Sequence, residues 1–356
     1  MAEAWIRGKP VTLAAATGEA ARLLGASRMP VIAGLGTDIA GVRAAIALAR
    51  QVGGAIDHMH AATLLRDLDV MRESGMMTTT PNEARLRADF LLLIGPGLVQ
   101  AWPELWTRLL ATPEGVARRI VWLCGGSEAE TAGTPVEIIG GAPADLPALL
   151  ASLRARCAGR PGGNTAQALS ALASDLGNVK FGVAVWSAAA LDALTVEMLC
   201  GLVRDLNATT RFSGLPLAPA DNAAAVLQAS GWMTGLPPRT GFARGAGEHD
   251  PWRFDAVRLV ESGEADCAVW ISAWSATTPA WKRDVPTVVL AHDDGLRDKA
   301  QVTIMVGRPG LDHDAVTYLA ATGTLAPLLA AQKSAALSVA DALDRIAAQL
   351  PAGPPC

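Results

Sequence analysis

The chain has 356 residues, 51% hydrophobic and 18% charged, with 34 acidic against 30 basic side chains. The net charge of −4 and the lack of a basic run exclude nucleic acid as an expected partner. No uncharged apolar run of about 18 residues is present, so no membrane is expected as a partner, and the length favours two α/β lobes over one small domain.

In chain order, residues 16–25 read as a helix closed by Gly25, and Met29 to Gly34 as a short buried strand. Thr37 and Asp38 are placed to cap a long helix, Ile39 to Val52, ended by Gly53 and Gly54, with a second short strand at 55–57. Phe90 to Ile94 is an uninterrupted apolar strand stopped by Gly95-Pro-Gly97. Trp102, Trp106, Leu109 and Leu110 have helical spacing, and strands follow at 119–124 and 136–139. Ala158-Gly-Arg-Pro-Gly-Gly-Asn164 is the expected lobe boundary. Beyond it come a strand at 181–186, helices at 191–206 and 223–230, strands at 266–271 and 285–290, and a closing helix at 338–350. Apolar strands alternating with helices mark parallel sheets covered on both faces. The expected fold is therefore α/β: a first lobe over 1–160 with strand–helix repeats in 29–57 and 89–124, a second over 161–330, and a helix with a Pro-rich tail over 331–356.

Three constellations invite a chemical reading. Gly34-Leu-Gly36-Thr-Asp-Ile-Ala-Gly41 stands at a strand-to-helix junction, where a nicotinamide dinucleotide would bind, but its third glycine is two positions late for G-x-G-x-x-G. A glycine-rich turn for tight packing is the plainer explanation. His58 and His60 share a face if their strand continues, and His292-Asp-Asp294 and Asp312-His-Asp314 add donors only if the fold gathers them. Solvated or capping groups are the plainer reading of such pairs. The long loop 235–251 carries Arg239 and Arg244 with glycine amides from Gly241, Gly245 and Gly247. It reads either as an anion clamp or as an interface loop. No nucleophile elbow, P-loop or H-E-x-x-H is present, and no catalytic, cofactor-binding or metal residue is assigned.

Ten tryptophans against one tyrosine and five phenylalanines suggest either core filling or burial against other subunits. The five cysteines, Cys124, Cys157, Cys200, Cys267 and Cys356, form no C-x-x-C pair. An iron–sulfur cluster needs about four thiolates, several of them close in sequence, and the first 123 residues hold none. The odd count and wide spacing fit a reducing compartment, and with no apolar leader the chain reads as cytoplasmic.

Pro30 to Gly36, Gly53 to Asp57 and Arg87 to Gly95 together resemble the opening of the B subunit of formylmethanofuran dehydrogenase, a molybdopterin-type oxidoreductase family. The stretch Gly263 to Trp274 with Val285 to Leu290 is similar to that family's second lobe, so the resemblance covers most of residues 1–320. It implies a two-lobed, reduced molybdopterin oxidoreductase core. In the family, a cysteine or selenocysteine after the Asp57 position ligates molybdenum or tungsten. Here the stretch reads His58 to Arg66 without a cysteine, and the ligand position falls near Thr63. Gly307 to Tyr318 also departs from the family's pterin-contacting text.

The family's redox-inactive relatives are B subunits of the bacterial formyltransferase/hydrolase complex. The resemblance then implies a non-catalytic structural subunit with no iron–sulfur cluster and no molybdopterin of its own. Its partners would be an amidohydrolase-like A subunit, a formyltransferase-like D subunit and a C subunit. The complex acts on formyl-tetrahydromethanopterin and formyl-methylofuran to release formate, with methylofuran as its carrier. The alternative is a pterin-dependent molybdenum or tungsten oxidoreductase with a non-thiolate metal ligand.

Overall fold

The structure is a computed structural model and describes residues 3–110, 117–125, 131, 134–161 and 167–350. The described chain divides into two compact units. One comprises 3–61, 220–318 and 325–350, and the other 62–219 and 319–324. These are not the consecutive halves expected from the sequence. The reason lies in strand pairing: Pro30–Gly36 takes Cys267–Ser272 as a parallel neighbour, so the first sheet closes only after the middle of the chain has passed. The expected boundary at 158–164 falls within the span of the second unit, with 162–166 outside the described residues. The closing helix, Val339–Ala347, buries Val339, Ala342, Leu343 and Ile346 in the core of the first unit rather than forming a separate segment.

Among the described residues, nine strands form the sheet of the first unit. Its centre is parallel, in the order Ala55–Ile56, Pro30–Gly36, Cys267–Ser272, Thr287–Ala291, Val302–Met305. Antiparallel strands finish both edges: Thr240–Arg244 beside Ala55–Ile56, and Ala4–Ile6 beside Val302–Met305. The three middle strands are buried at every position, as a parallel sheet covered on both faces requires. Side chains alternate between faces. Ile32, Val269, Ile271, Val288 and Leu290 join a core with helices Leu13–Ala26, Ile39–Val52, Ala223–Thr234 and Val339–Ala347. Val31, Ala33, Ala268, Trp270 and Val289 join the opposite core, with helix Ala256–Glu261. The first helix starts earlier than its glycine punctuation implies because Thr12 caps it through Ala15 N, and it runs past Gly25 to Ala26.

The loop expected at 235–251 is mostly a hairpin, Thr240–Arg244 with Ala246–His249, carrying a bulge and turning at Gly245 with φ +83°. Its period-2 pattern was masked by glycines. At Gly241 a Cβ would stand 2.2 Å from the Phe254 ring, so that glycine marks close packing.

The second unit holds five parallel strands, in the order Glu137–Ile139, Arg119–Leu123, Phe90–Ile94, Gly182–Trp186, Phe212–Pro216. Leu92, Ile94, Val121 and Trp186 face helices Leu146–Cys157, Gln167–Leu176 and Ala193–Leu206. Leu91, Leu93, Trp122 and Val185 face Trp102, Leu105 and Leu109. The expected Trp-bearing helix is instead a short helix, Leu98–Ala101, and a wide turn, Trp106–Leu110. Pro103 stands between them and disfavours helical backbone at Trp102. Trp5, Trp102, Trp122, Trp186 and Trp270 are buried, whereas Trp232 and Trp252 are 65% and 70% exposed. The core-filling reading holds for the five buried tryptophans.

Candidate functional site

In an open parallel sheet, ligands bind at the carboxyl ends of the strands where successive connections diverge. In the first unit that point lies between Pro30–Gly36 and Cys267–Ser272. From Pro30–Gly36 the chain continues to Ala55–Ile56 on one side, whereas the strands after Cys267–Ser272 are laid down on the other. Gly34 and Leu35 end their strand with φ +80° and +55°, and Asp221 and Asn222 are likewise left-handed, at +55° and +61°. Each non-glycine residue in that region costs about 1–3 kcal/mol unless the surroundings enforce it. At Gly34 the requirement is steric as well, since a Cβ would lie 2.5 Å from the Ile271 carbonyl.

Asn222 shows how the bend is enforced. Its Nδ2 donates to the Thr37 carbonyl at 2.8 Å, and its Oδ1 accepts from Tyr318 N at 2.9 Å. Asp221 is thereby presented to His58, His60 and Ser275. His58 Nδ1 accepts from the His60 amide at 2.9 Å, so Nε2 carries the hydrogen and donates to the Asp221 carbonyl at 3.1 Å. Burial pushes His58 down to about 4, which leaves the ring neutral with both nitrogens committed. The Asp221 carboxylate accepts from His60 Nε2 at 3.1 Å and from Ser275 Oγ at 2.5 Å. Burial opposes its ionisation, but these two hydrogen bonds hold it below the usual carboxylate range.

The two histidines do not share a strand face, because the strand ends at Ile56 and they lie in the turn beyond it. Their convergence on Asp221 replaces the expected strand geometry. Sequence reasoning missed Asp221 and Ser275. The available signal was the pair Asp221-Asn222, two residue types that tolerate left-handed backbone.

Beside the crevice, Asp57 is buried and its carboxyl is pushed up to about 7 by desolvation, against the pull of Arg239 at 3.5 Å. Its Oδ2 accepts from Ala256 N at 2.9 Å. Arg239, itself left-handed at φ +64°, also reaches Asp255 at 2.5 Å and the Pro251 carbonyl at 2.6 Å. The expected anion clamp is therefore filled from within the chain, since Arg244 likewise pairs with Glu248 at 2.8 Å.

Asp38 settles the glycine-rich turn. Its Oδ1 accepts from Gly41 N at 3.0 Å and caps Ile39–Val52, placing a carboxylate where a dinucleotide phosphate would need the helix amides. At Gly41 a Cβ would stand 2.3 Å from Thr37 Oγ1, so this glycine serves packing.

The expected acid–histidine groups take separate partners. Asp312 accepts from Arg308 N and Ser334 Oγ, Asp314 from Ala330 N and Lys333, and Asp294 pairs with Arg297. His292 lies near the Ser272 carbonyl at 3.4 Å. Among the described residues, no group of three or more His, Cys, Asp or Glu is arranged to hold a metal. Thr63, at the expected ligand position, occupies the first turn of helix Ala61–Ser74. Cys200 and Cys267 are buried in cores, and desolvation pushes their thiols up to about 11 and about 12. Cys356 lies outside the described residues. No described helix is long and apolar enough to cross a membrane.

A parallel sheet with a strained, polar crevice at its switch point defines a doubly wound α/β protein. No protein-family model matches the chain. It is 36% identical over 317 residues to the B subunit of the formyltransferase/hydrolase complex Fhc of Methylorubrum extorquens, covering 86% of this chain and 85% of that protein. It is 26% identical over 288 residues to the B subunit of tungsten-containing formylmethanofuran dehydrogenase 2 of Methanocaldococcus jannaschii, covering 74% and 65%. The crystal structure of the formyltransferase/hydrolase complex (FhcABCD) from Methylorubrum extorquens with methylofuran contains a chain that matches with a TM-score of 0.89. That match has 34% identity and covers 97% of this chain and 98% of the other. The chain belongs to the family of formyltransferase/hydrolase complex B subunits, and through it to the fold of the formylmethanofuran dehydrogenase B subunits.

Proposed function

We propose that this chain is the non-catalytic structural subunit of a formyltransferase/hydrolase complex. The complex acts on formyl-tetrahydromethanopterin and formyl-methylofuran and releases formate. The observation that carries the reading is the self-satisfied crevice. Both nitrogens of His58 and both carboxylate oxygens of Asp221 take partners within the chain, so these groups brace the strand ends. The lack of a cysteine between His58 and Arg66, where the resemblance places the metal ligand near Thr63, supports the loss of the redox site of the family. Hydrolysis and formyl transfer exchange no electrons, so neither reaction requires that site. The partners in this reading are the amidohydrolase-like A, the formyltransferase-like D and the C subunit, in a cytoplasmic hetero-oligomer with methylofuran as the carried cofactor. The exposed Trp232 and Trp252 are the candidate contacts on this chain.

The test is native mass spectrometry of the tagged chain drawn gently from its own cells, with elemental analysis and a formate assay. The expected result is an assembly with those partners whose formate release survives His60→Ala and Ser275→Ala in this chain. Recovery of a lone chain carrying molybdenum or tungsten with a pterin would overturn the reading.

A further inference from the structure

The loop after strand Cys267–Ser272 and the turn after strand Thr287–Ala291 enclose a half-open cavity of about 300 Å³ in the first unit. Trp281, Val289 and Leu296 give an otherwise mostly polar lining its apolar surface. Its rim carries Lys282, Arg283 and Lys299 against a single acid, Asp284. None of the three cations belongs to an ion pair among the described residues, whereas the nearby Arg253 and Arg258 are paired with Glu248 and Glu264. Arg283 is also held in place. Its guanidinium lies over Gly263, where a Cβ would stand 2.5 Å from Nη1, and Gly263 has φ +77°. A residue other than glycine there would displace the cation from the rim.

We infer that this cavity is a binding site for a small organic anion that bears two negative charges on an apolar ring. The volume sits at the lower end of small-molecule sites, which are apolar clefts with a few convergent polar groups. The surplus of cations supplies the charge complement, and Arg283 offers the planar fork that matches phosphate or carboxylate oxygens. Trp281 in the lining supplies aromatic surface for a flat apolar moiety, and it packs T-shaped against Trp270 at 5.5 Å between ring centroids.

The test is titration of the full-length protein with 1-naphthyl phosphate, followed by probe fluorescence and calorimetry, with inorganic phosphate as the control. The expected result is saturable one-to-one binding, about tenfold tighter than inorganic phosphate and weakened several-fold by high salt. Binding falls at least about tenfold in the double variant K282Q/K299Q, whose exposed side chains leave the melting temperature unchanged. Arg283→Gln alone gives a similar loss and decides the matter if the double variant melts early. Absence of saturable binding, or equal affinity in wild type and all variants, overturns the assignment.

Discussion

The two parallel sheets meet the same topological demand and answer it differently. In the first unit, the strand ends at the switch point carry an interlocked polar set: Asp221 with His58, His60 and Ser275, and Asn222 with Thr37 and Tyr318. In the second unit, Phe90–Ile94 ends in a Gly-Pro-Gly turn, Trp122 Nε1 donates to the Gly95 carbonyl at 2.8 Å, and Trp186 Nε1 donates to Asp67 at 2.9 Å. One crevice is braced by polar groups that hold strained backbone. The second sheet instead carries one buried tryptophan on each face near its strand ends, and their polar tips find partners. The topology locates a crevice, and the residue types at the strand ends decide whether burial or hydrogen bonding holds it shut.

The comparison breaks first if the aromatic filling of the second unit is dispensable. Trp186→Ala, which empties a fully buried site and strips Asp67 of its donor, is expected to cost about 3–5 kcal/mol by urea denaturation. In the first unit, Asp221→Ala removes the acceptor of His60 and Ser275 and puts alanine at φ +55°, with an expected loss of about 2–3 kcal/mol. Asp221→Asn keeps a residue that tolerates this backbone and should lose less than half as much. Equal losses for the two variants would show that the backbone bend contributes nothing.

The pH dependence of stability sharpens the contrast. The folded-state pKa of His58 lies below its unfolded value, so its contribution is complete above about 6.5 and is lost as pH falls toward about 4. The folded-state pKa of Asp57 lies above its unfolded value, so its contribution is complete below about 4 and is lost as pH rises toward about 7. The two slopes oppose each other between about pH 4 and 6.5. Relative to wild type, His58→Gln should tilt the stability profile downward with rising pH across that window, and Asp57→Asn should tilt it upward. Melting temperatures taken at half-unit pH steps read both signs, and parallel profiles would refute the pairing. The smallest effect is expected from Asp38→Ala, where loss of the helix cap costs about 1 kcal/mol.

Much of the framework was legible because local signals agreed with the fold. Phe90–Ile94 is an apolar run stopped by glycine and proline. Helix Ile39–Val52 has both its cap at Asp38 and its left-handed stop at Gly53, with φ +65°. The closing helix lies within its expected span, with Ser338 as its cap accepting from Asp341 N. The edge strands were not legible. Ala4–Ile6 is three residues long and pairs with Val302–Met305 some three hundred positions away. The hairpin at 240–249 hid behind glycines that serve packing against Phe254 and the turn at Gly245. Within the crevice, His58 and His60 stood out as residue types, but their shared partner lies more than 160 residues downstream.

The sequence by itself determined the α/β class, the placing of the central strands along the chain and the lack of any cysteine in the first 123 residues. It could do so because buried parallel strands need continuous apolar runs, and metal ligation needs particular donor atoms. Only the tertiary structure decided that the first unit is assembled from three separate stretches of chain. It alone turned Arg239 inward to Asp57 and Asp255 and gathered Lys282, Arg283 and Lys299 around one cavity. Those outcomes rest on which distant strands pair and which side chains then fall within a few ångströms, and no local period or spacing encodes them.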